Sequence, residues 1–452
     1  MIDTLTAGRV WAGLLVACAL GLPGHPVRAD EQADRIQALE RRLEDSLKLI
    51  EKLSSRVAEL ERAAPANDAP PRSATSAAPA DRRGEIAVLR ESIDQISKGL
   101  SRRGDDTGLP LHGFADVGGA WSRGADPVKL RGFSIGTMDL YLTPQFGDRV
   151  KSLVEIAFEY EEGGGGEVDL ERMQLGYTVS DALTLWAGRF HTPFGLWNTS
   201  FHHGANLQTS LSRPRFVEFE DKGGIIPAHS VGIWASGKSR LGPGRIAYDG
   251  YLSNGPRIRD RRLNFNAFTD DNAGKMLGGS LGYEPSGALG GLTVGIHGFG
   301  STVNAYAGSG SVLNQTKLRM AGGYFGYDAD DWEAIGEYYR FANADPATGL
   351  TSRSSAWFVH VGRVFGTLTP YVRYERAALS ENDAYFLSQR DGRSYRRAVA
   401  GVRYALDGRS SLKMEISETS EAASQQIDQT GARVPFPSTR YRRGAFQYSI
   451  AF

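Results

Sequence analysis

The chain contains a single cysteine in 452 residues, Cys18, so no disulfide framework can hold it together. It also lacks net charge, with 52 Lys+Arg against 52 Asp+Glu, and nothing in that balance points to nucleic acid as a partner. No uncharged apolar run of about 18 residues follows the N-terminus, which excludes membrane-spanning helices. Catalytic spacings are missing too. No HExxH or clustered Cys/His pattern offers a metal site. Gly132-Phe133-Ser134-Ile135-Gly136 matches the nucleophile elbow of hydrolases, but that motif needs a strand–turn–helix context and Ser134 sits inside an alternating strand. The sequence predicts no enzyme, no metal and no cofactor.

What is present is glycine, 55 residues, together with 20 Phe, 18 Tyr and 7 Trp. Many turns and aromatic girdles would use such a composition. The last residues set the theme. Phe446, Tyr448, Ile450 and Phe452 alternate with Ala445, Gln447, Ser449 and Ala451, so a strand there shows one greasy and one polar face. A terminal Phe closing such a strand resembles the assembly signal of bacterial outer-membrane barrels. In a soluble sheet the greasy face would meet a core; in a barrel it meets lipid.

The N-terminal region divides into four pieces. Residues 1–29 read as a secretory signal, with Arg9, an apolar run from Trp11 to Leu22, and Val27-Arg28-Ala29 as cleavage site. Leu15-Val16-Ala17-Cys18 also fits a lipoprotein box, which would leave Cys18 lipidated. Residues 30–62 place Ile36, Leu39, Leu43, Ile50, Leu53, Val57 and Leu60 at heptad positions, with Ser46 the one polar member. That predicts a coiled coil of about four heptads, and an oligomer, because the seam cannot bury itself alone. Residues 63–80 are a Pro/Ala/Ser linker. A shorter helix over 81–103 repeats the seam through Ile86, Leu89, Ile93, Ile96 and Leu100.

From residue 109 to 452 the pattern is alternating strands, sixteen in number, from one near 111–121 to one near 438–452. Their connections alternate between tight turns and longer loops, among them 254–273, 301–316, 379–395 and 420–437. The fold class expected is therefore all-β: a 16-stranded antiparallel transmembrane β-barrel preceded by an N-terminal periplasmic coiled-coil helix. An even strand count puts both chain ends on the short-turn, periplasmic side.

The longest connection runs from His191 to Ala228. Its many apolar residues predict a loop folded into the lumen, and Arg213, Arg215, Glu218, Glu220, Asp221 and Lys222 would contribute to a constriction. Alternation turns Arg172 and Gln174, Lys151, Glu155 and Glu159, Arg373 and Glu375, Arg397 and Arg403, and Lys413 and Glu415 toward the lumen. Arg189 joins this set at the start of the long loop. Of the 36 Lys+Arg in residues 109–452 only seven are Lys, and a guanidinium-rich wet lumen suits an anion pathway. The basic run Arg257, Arg259, Arg261 and Arg262 would attract anions or lipopolysaccharide phosphates at the mouth.

The run Gly188-Arg189-Phe190-His191-Thr192-Pro193-Phe194-Gly195 resembles the Gly-basic-Phe-x-x-Pro-Phe-Gly signature of the phosphate-selective porin O and P family. Ser253-Asn254-Gly255, Asp271-Asn272, Lys275 and Tyr283-Glu284-Pro285 form a second echo. The resemblance implies a trimeric outer-membrane porin whose third loop narrows each pore. Phosphate specificity does not carry over, because the family's long Arg ladder and Lys cluster are not matched by seven lysines. Expected partners are outer-membrane lipid and lipopolysaccharide, small hydrophilic solutes or anions, and two further copies of the chain. A second possibility is an envelope tether, with the barrel as anchor and the coiled coil as the working part.

Overall fold

The computed structural model describes residues 111–452, except 130, 147–148, 161–165, 202–206, 221, 265–268 and 330. The expected signal, coiled coil, linker and second helix, with Asp221, lie outside the described residues.

Sixteen antiparallel strands close on themselves. They are β1 (Leu111–Gly124), β2 (Arg131–Leu142), β3 (Val150–Tyr160), β4 (Gly166–Ser180), β5 (Leu183–His191), β6 (His229–Leu241), β7 (Gly244–Ser253) and β8 (Met276–Glu284). The second half is β9 (Leu292–Tyr306), β10 (Val312–Ala329), β11 (Trp332–Ala344), β12 (Thr351–Arg363), β13 (Leu368–Ala378), β14 (Tyr395–Ala405), β15 (Ser410–Glu421) and β16 (Thr439–Ala451). Each strand pairs with its sequence neighbours, and β16 returns to β1 with Phe446 opposite Gly119 and Ala451 opposite Phe114. Closure removes the free edges that an open sheet of this size would expose.

The closing seam shows why the C-terminal alternation matters. Phe446, Tyr448, Ile450 and Phe452 stay 36–49 % exposed on the outer surface. Between them Gln447 donates to Asp116 Oδ1 at 3.0 Å, and Ser449 meets Ser411 at 2.9 Å, both on the inner face. Phe452 and Gly113 exchange backbone hydrogen bonds of 2.9 and 3.0 Å. A Cβ on Gly113 would fall 2.4 Å from the Phe452 ring, so the terminal aromatic lies flat on a glycine.

One helical turn, α1 (Trp197–Ser200), lies inside the barrel beside His360 of β12, and two short hairpins, Arg257–Arg259 with Arg262–Asn264 and Ser424–Ile427 with Arg433–Phe436, decorate the loop end with a second turn, α2 (Ala384–Leu387). One expectation is corrected here. The connection placed at 301–316 is only 307–311, because β9 and β10 keep pairing up to Tyr306 and Val312. Polar residues there break the hydrophobic alternation while the backbone ladder continues.

The long loop builds a core inside the barrel. Phe194, Trp197 and Phe216 of the long loop pack with Phe299, Tyr339, Phe341 and Phe358 of β9, β11 and β12, and with Tyr385 and Phe386 of α2. Aromatic rings meet edge to face or tilted across this region, for example Trp197 with Phe358 at 5.6 Å and Phe341 with Phe386 at 5.3 Å. Open space remains on both sides of this core: a cavity of 290 Å³ between Trp197, Thr209, Glu333 and His360 toward the turn end, and another toward β14–β16.

Candidate pore constriction

The long loop, residues 192–228, enters the lumen through the Pro193-Phe194-Gly195 turn. Gly195 has φ +62°, a left-handed conformation that other residues adopt at a cost. Its N–H donates to His297 Nδ1 at 2.9 Å, and the next two, of Leu196 and Trp197, donate to Glu337 Oε1 at 2.8 and 2.5 Å. Three successive amides are thus bound by side chains of β9 and β11. A Cβ on Gly195 would sit 2.3 Å from Glu337 Oε2. The signature read in the sequence is the local chemistry of this inward turn.

Farther along, the segment Gln208 to Arg215 is clamped to the wall formed by β13, β14 and β15. Glu415 accepts the amides of Leu211 and Ser212, each at 3.1 Å, and Glu375 accepts that of Arg215 at 2.7 Å. Arg373 makes five hydrogen bonds of 2.8–3.0 Å, to Glu375, the Ser210 and Ser212 hydroxyls, and the carbonyls of Ser212 and Arg213. Lys413 Nζ donates to the carbonyls of Gln208 and Ser210 at 2.5 and 3.2 Å. Both cations point inward, as alternation predicts. Yet Arg373 and Lys413 are 2 % and 1 % exposed, covered by the loop they hold. They serve the scaffold and do not touch open space.

Arg213 is likewise turned into the loop. Its guanidinium binds the carbonyls of Phe201 and Val217 at 2.6 and 3.0 Å, lies 3.9 Å over the Phe219 ring, and comes within 3.9 Å of Glu218. Burial lowers its pKa to about 10, against the pull of Glu218 and Glu337, and it remains charged at neutral pH. Glu220 is 2 % exposed and ties the loop's return to β6, accepting the His229 amide at 3.0 Å with Nδ1 of the same ring also at 3.0 Å. Its desolvation is outweighed by His229, which leaves the carboxyl below its ordinary range.

Arg172 and Arg189 lie on the β4–β5 wall. A bulge there inserts Glu171 between the register pairs Glu155↔Arg172 and Ile156↔Leu170. Arg172 is ion-paired with Glu155, and the buried Glu171 takes Arg189 at 3.4 Å and His229 at 3.3 Å. Arg403 stands half-buried on β14 near the turn end, opposite Lys413.

The charged open space is a cavity of 290 Å³ at the loop half of the barrel. Six cations line it: Arg215, Lys222, Arg262, Arg390, Arg397 and Arg443, against the carboxylates of Glu218 and Asp391. Some are neutralised from behind. Arg215 pairs with Glu421 at 2.5 Å and Asp391 at 3.4 Å, Lys222 with Glu159 at 2.7 Å, and Arg443 with Asp126 at 2.6 Å. Burial alone would depress Arg215, but Glu421 outweighs it and holds the guanidinium above its ordinary pKa. Among the described residues, Arg262 and Arg390 have no ion pair, and both are exposed to the cavity.

Of the residues predicted for the constriction, Arg215, Glu218, Lys222 and Arg397 therefore reach the cavity, while Arg213, Glu220, Arg373 and Lys413 anchor the loop. Arg443 was legible from the alternation of β16, two inward steps from Gln447. Arg390 carried no local signal, because its place depends on loop packing.

No family model matches the chain, and no curated protein resembles it in sequence. Solved structures do resemble it in fold. An anion-selective porin from Comamonas acidovorans superposes with a TM-score of 0.52 at 14 % identity, over 76 % of this chain and 99 % of that one. The outer membrane channel DcaP of Acinetobacter baumannii gives 0.48 at 11 % identity over 76 % and 97 %. OmpT of Vibrio cholerae in its trimer form gives 0.46 at 14 % identity over 76 % and 100 %. At such identity the first likeness shows the fold alone: a closed sixteen-stranded antiparallel barrel.

Proposed function

We propose that the protein is an outer-membrane diffusion channel for small hydrophilic solutes, with a preference for anions. One observation carries the reading: a 290 Å³ cavity beside an inward-folded loop, where six cations face two carboxylates. An excess of fixed positive charge in a narrow, low-dielectric passage raises the local concentration of anions and repels cations. The Comamonas protein of the same fold is described as anion-selective, which agrees with this charge balance. No bond is made or broken; selection is by size and by the field of the arginines. The preference extends to small anions generally, phosphate and carboxylates included, without a dedicated phosphate ladder. By this reading Arg215, Arg262, Arg390, Arg397 and Arg443 set the field, and Arg213, Glu220, Arg373 and Lys413 keep the loop in place. The working unit is a homotrimer, its N-terminal coiled coil in the periplasm.

The test is planar-bilayer recording of the refolded full chain under a salt gradient. The expected reversal potential is displaced toward the chloride equilibrium value. Arg262→Ala together with Arg390→Ala, which removes the two cavity cations without carboxylate partners, is expected to lower the anion-to-cation permeability ratio about two- to fivefold at unchanged fold. A folded barrel that does not conduct would sink the proposal.

A further inference from the structure

The outer surface of the barrel carries a charge pattern that the channel reading leaves unused. Arg376 on β13 lies directly opposite Arg396 on β14, Arg396 opposite Ser420 on β15, and Ser420 opposite Arg440 on β16. One residue row away, Glu418 stands opposite Arg442, and Arg442 opposite Arg123 of β1. All five arginines are exposed, and they share parity with the outward residues Tyr374, Ile416, Phe446 and Trp121. They face away from the lumen.

Like charges placed directly opposite on one face of a sheet repel and destabilise it. Here Glu418 is the one carboxylate in the cluster. It accepts from Arg440 Nε at 3.0 Å and Arg442 Nε at 2.5 Å, and Arg376 and Arg396 make no ion pair among the described residues. The row borders a groove of 670 Å³ lined by Arg376, Arg396, Arg440, small residues such as Ala378 and Ser420, and Glu421, whose charge is already met by Arg215 and Arg393.

Height along the barrel identifies what meets this groove. From Arg442 the chain runs ten residues to Phe452 through Phe446, Tyr448 and Ile450, all outward. At about 3.3 Å per residue and a tilt of about 40°, that rise is about 25 Å, the thickness of the apolar band of such barrels. On β13 the outward residues below Arg376 are Tyr374, Val372, Pro370 and Leu368, with Trp357 of β12 beside the arginine. The arginine row thus caps the lipid-facing band at its loop end, where charges on the lipid face cost little. The groups met at that height are lipid headgroups of the outer leaflet.

We infer that Arg376, Arg396 and Arg440, with Arg442 and Arg123 beside them, form a binding site on the outer wall for the phosphate groups of an outer-leaflet glycolipid, the lipid A portion of lipopolysaccharide. Guanidinium groups bind phosphate oxygens in bidentate fashion, and an anion between Arg376 and Arg396 converts their repulsion into two attractions. Glu418 holds Arg440 and Arg442 extended for the same task. The site rests on the outer-membrane placement proposed above, but it does not depend on conduction.

Native mass spectrometry of the full chain, refolded with bisphosphorylated or fully dephosphorylated lipid A, tests this directly. The phosphorylated lipid is expected to remain bound and the dephosphorylated one to be lost. The double variant Arg376→Ser/Arg396→Ser is expected to weaken retention at least about tenfold, with single-channel conductance unchanged because both side chains lie outside the lumen. Equal retention of the two lipids overturns the site without any variant, as does full retention by a folded double variant. A changed oligomeric state with unchanged lipid retention also overturns it, since the face would then be a contact between copies. Absent conductance with phosphate-dependent lipid retention would sink the channel and leave the site standing.

Discussion

Inside this barrel an inward-facing arginine can do either of two things, and burial decides which. Arg373 and Arg397 sit on neighbouring strands, one register apart in height, yet Arg373 is enclosed by the long loop while Arg397 reaches the cavity. Removing the buried Arg373 strips Glu375 of its nearest ion partner and leaves only Arg397 at 3.8 Å, at a cost of up to about 3–5 kcal/mol. We expect Arg373→Met to loosen the clamped segment Gln208 to Arg215. Single-channel records should then become noisy and the mean conductance larger, with limited proteolysis cutting within residues 208–215. Arg262→Ala should do the reverse: quiet channels, an intact loop and a smaller reversal potential. Equal noise in the two variants would refute the division of labour between anchoring and field-setting cations.

At the level of elements, the long loop is held at three separated places: the Gly195 turn, the β13–β15 clamp, and the contact of Ile225 O with Tyr385 of α2 at 2.7 Å. Gly195→Ala meets both the left-handed backbone and the Glu337 oxygen, and a left-handed residue with a Cβ costs about 1–2 kcal/mol before any clash. Its expected signature is a lower temperature for the unfolding shift seen on gels. The third anchor depends on pH. Asp383 caps α2, accepting the Tyr385 amide at 3.2 Å and Asn343 Nδ2 at 2.9 Å, and burial raises its pKa from 3.8 to about 6. The closed loop therefore binds a proton more tightly than the open one. Its contribution is greatest below about pH 4 and is lost as pH rises through about 6. Hydrogen-exchange protection around α2, corrected for intrinsic rates, should fall by up to about a hundredfold over that interval in the wild type and stay flat in Asp383→Asn. The sequence shows the entry turn, because Pro-Phe-Gly is a local signal. It does not show the clamp or the third anchor, whose partners lie about 160 residues apart in the chain.

For the whole molecule, the barrel was legible strand by strand because every wall residue has only two faces to choose from, lipid or lumen, and the alternation repeats that choice sixteen times. What alternation cannot encode is which inward residues the loop will cover, and so the cavity's actual lining emerged only in three dimensions. The same topology makes a prediction about assembly. Leu111 opens β1 at the turn end of the barrel, where Phe452 closes β16. The coiled coil proposed for residues 30–62 can gather copies only if it lies on a common axis, while each barrel is closed and complete without it. Excising residues 30–103 behind the signal should therefore leave the conductance per barrel and the reversal potential unchanged. Light scattering of the purified protein should show a shift from trimer toward monomer, and bilayer insertions should lose their grouping in threes. A trimer that survives the excision intact would move the assembly contact onto the barrel wall itself, and would leave the heptads free for a different partner.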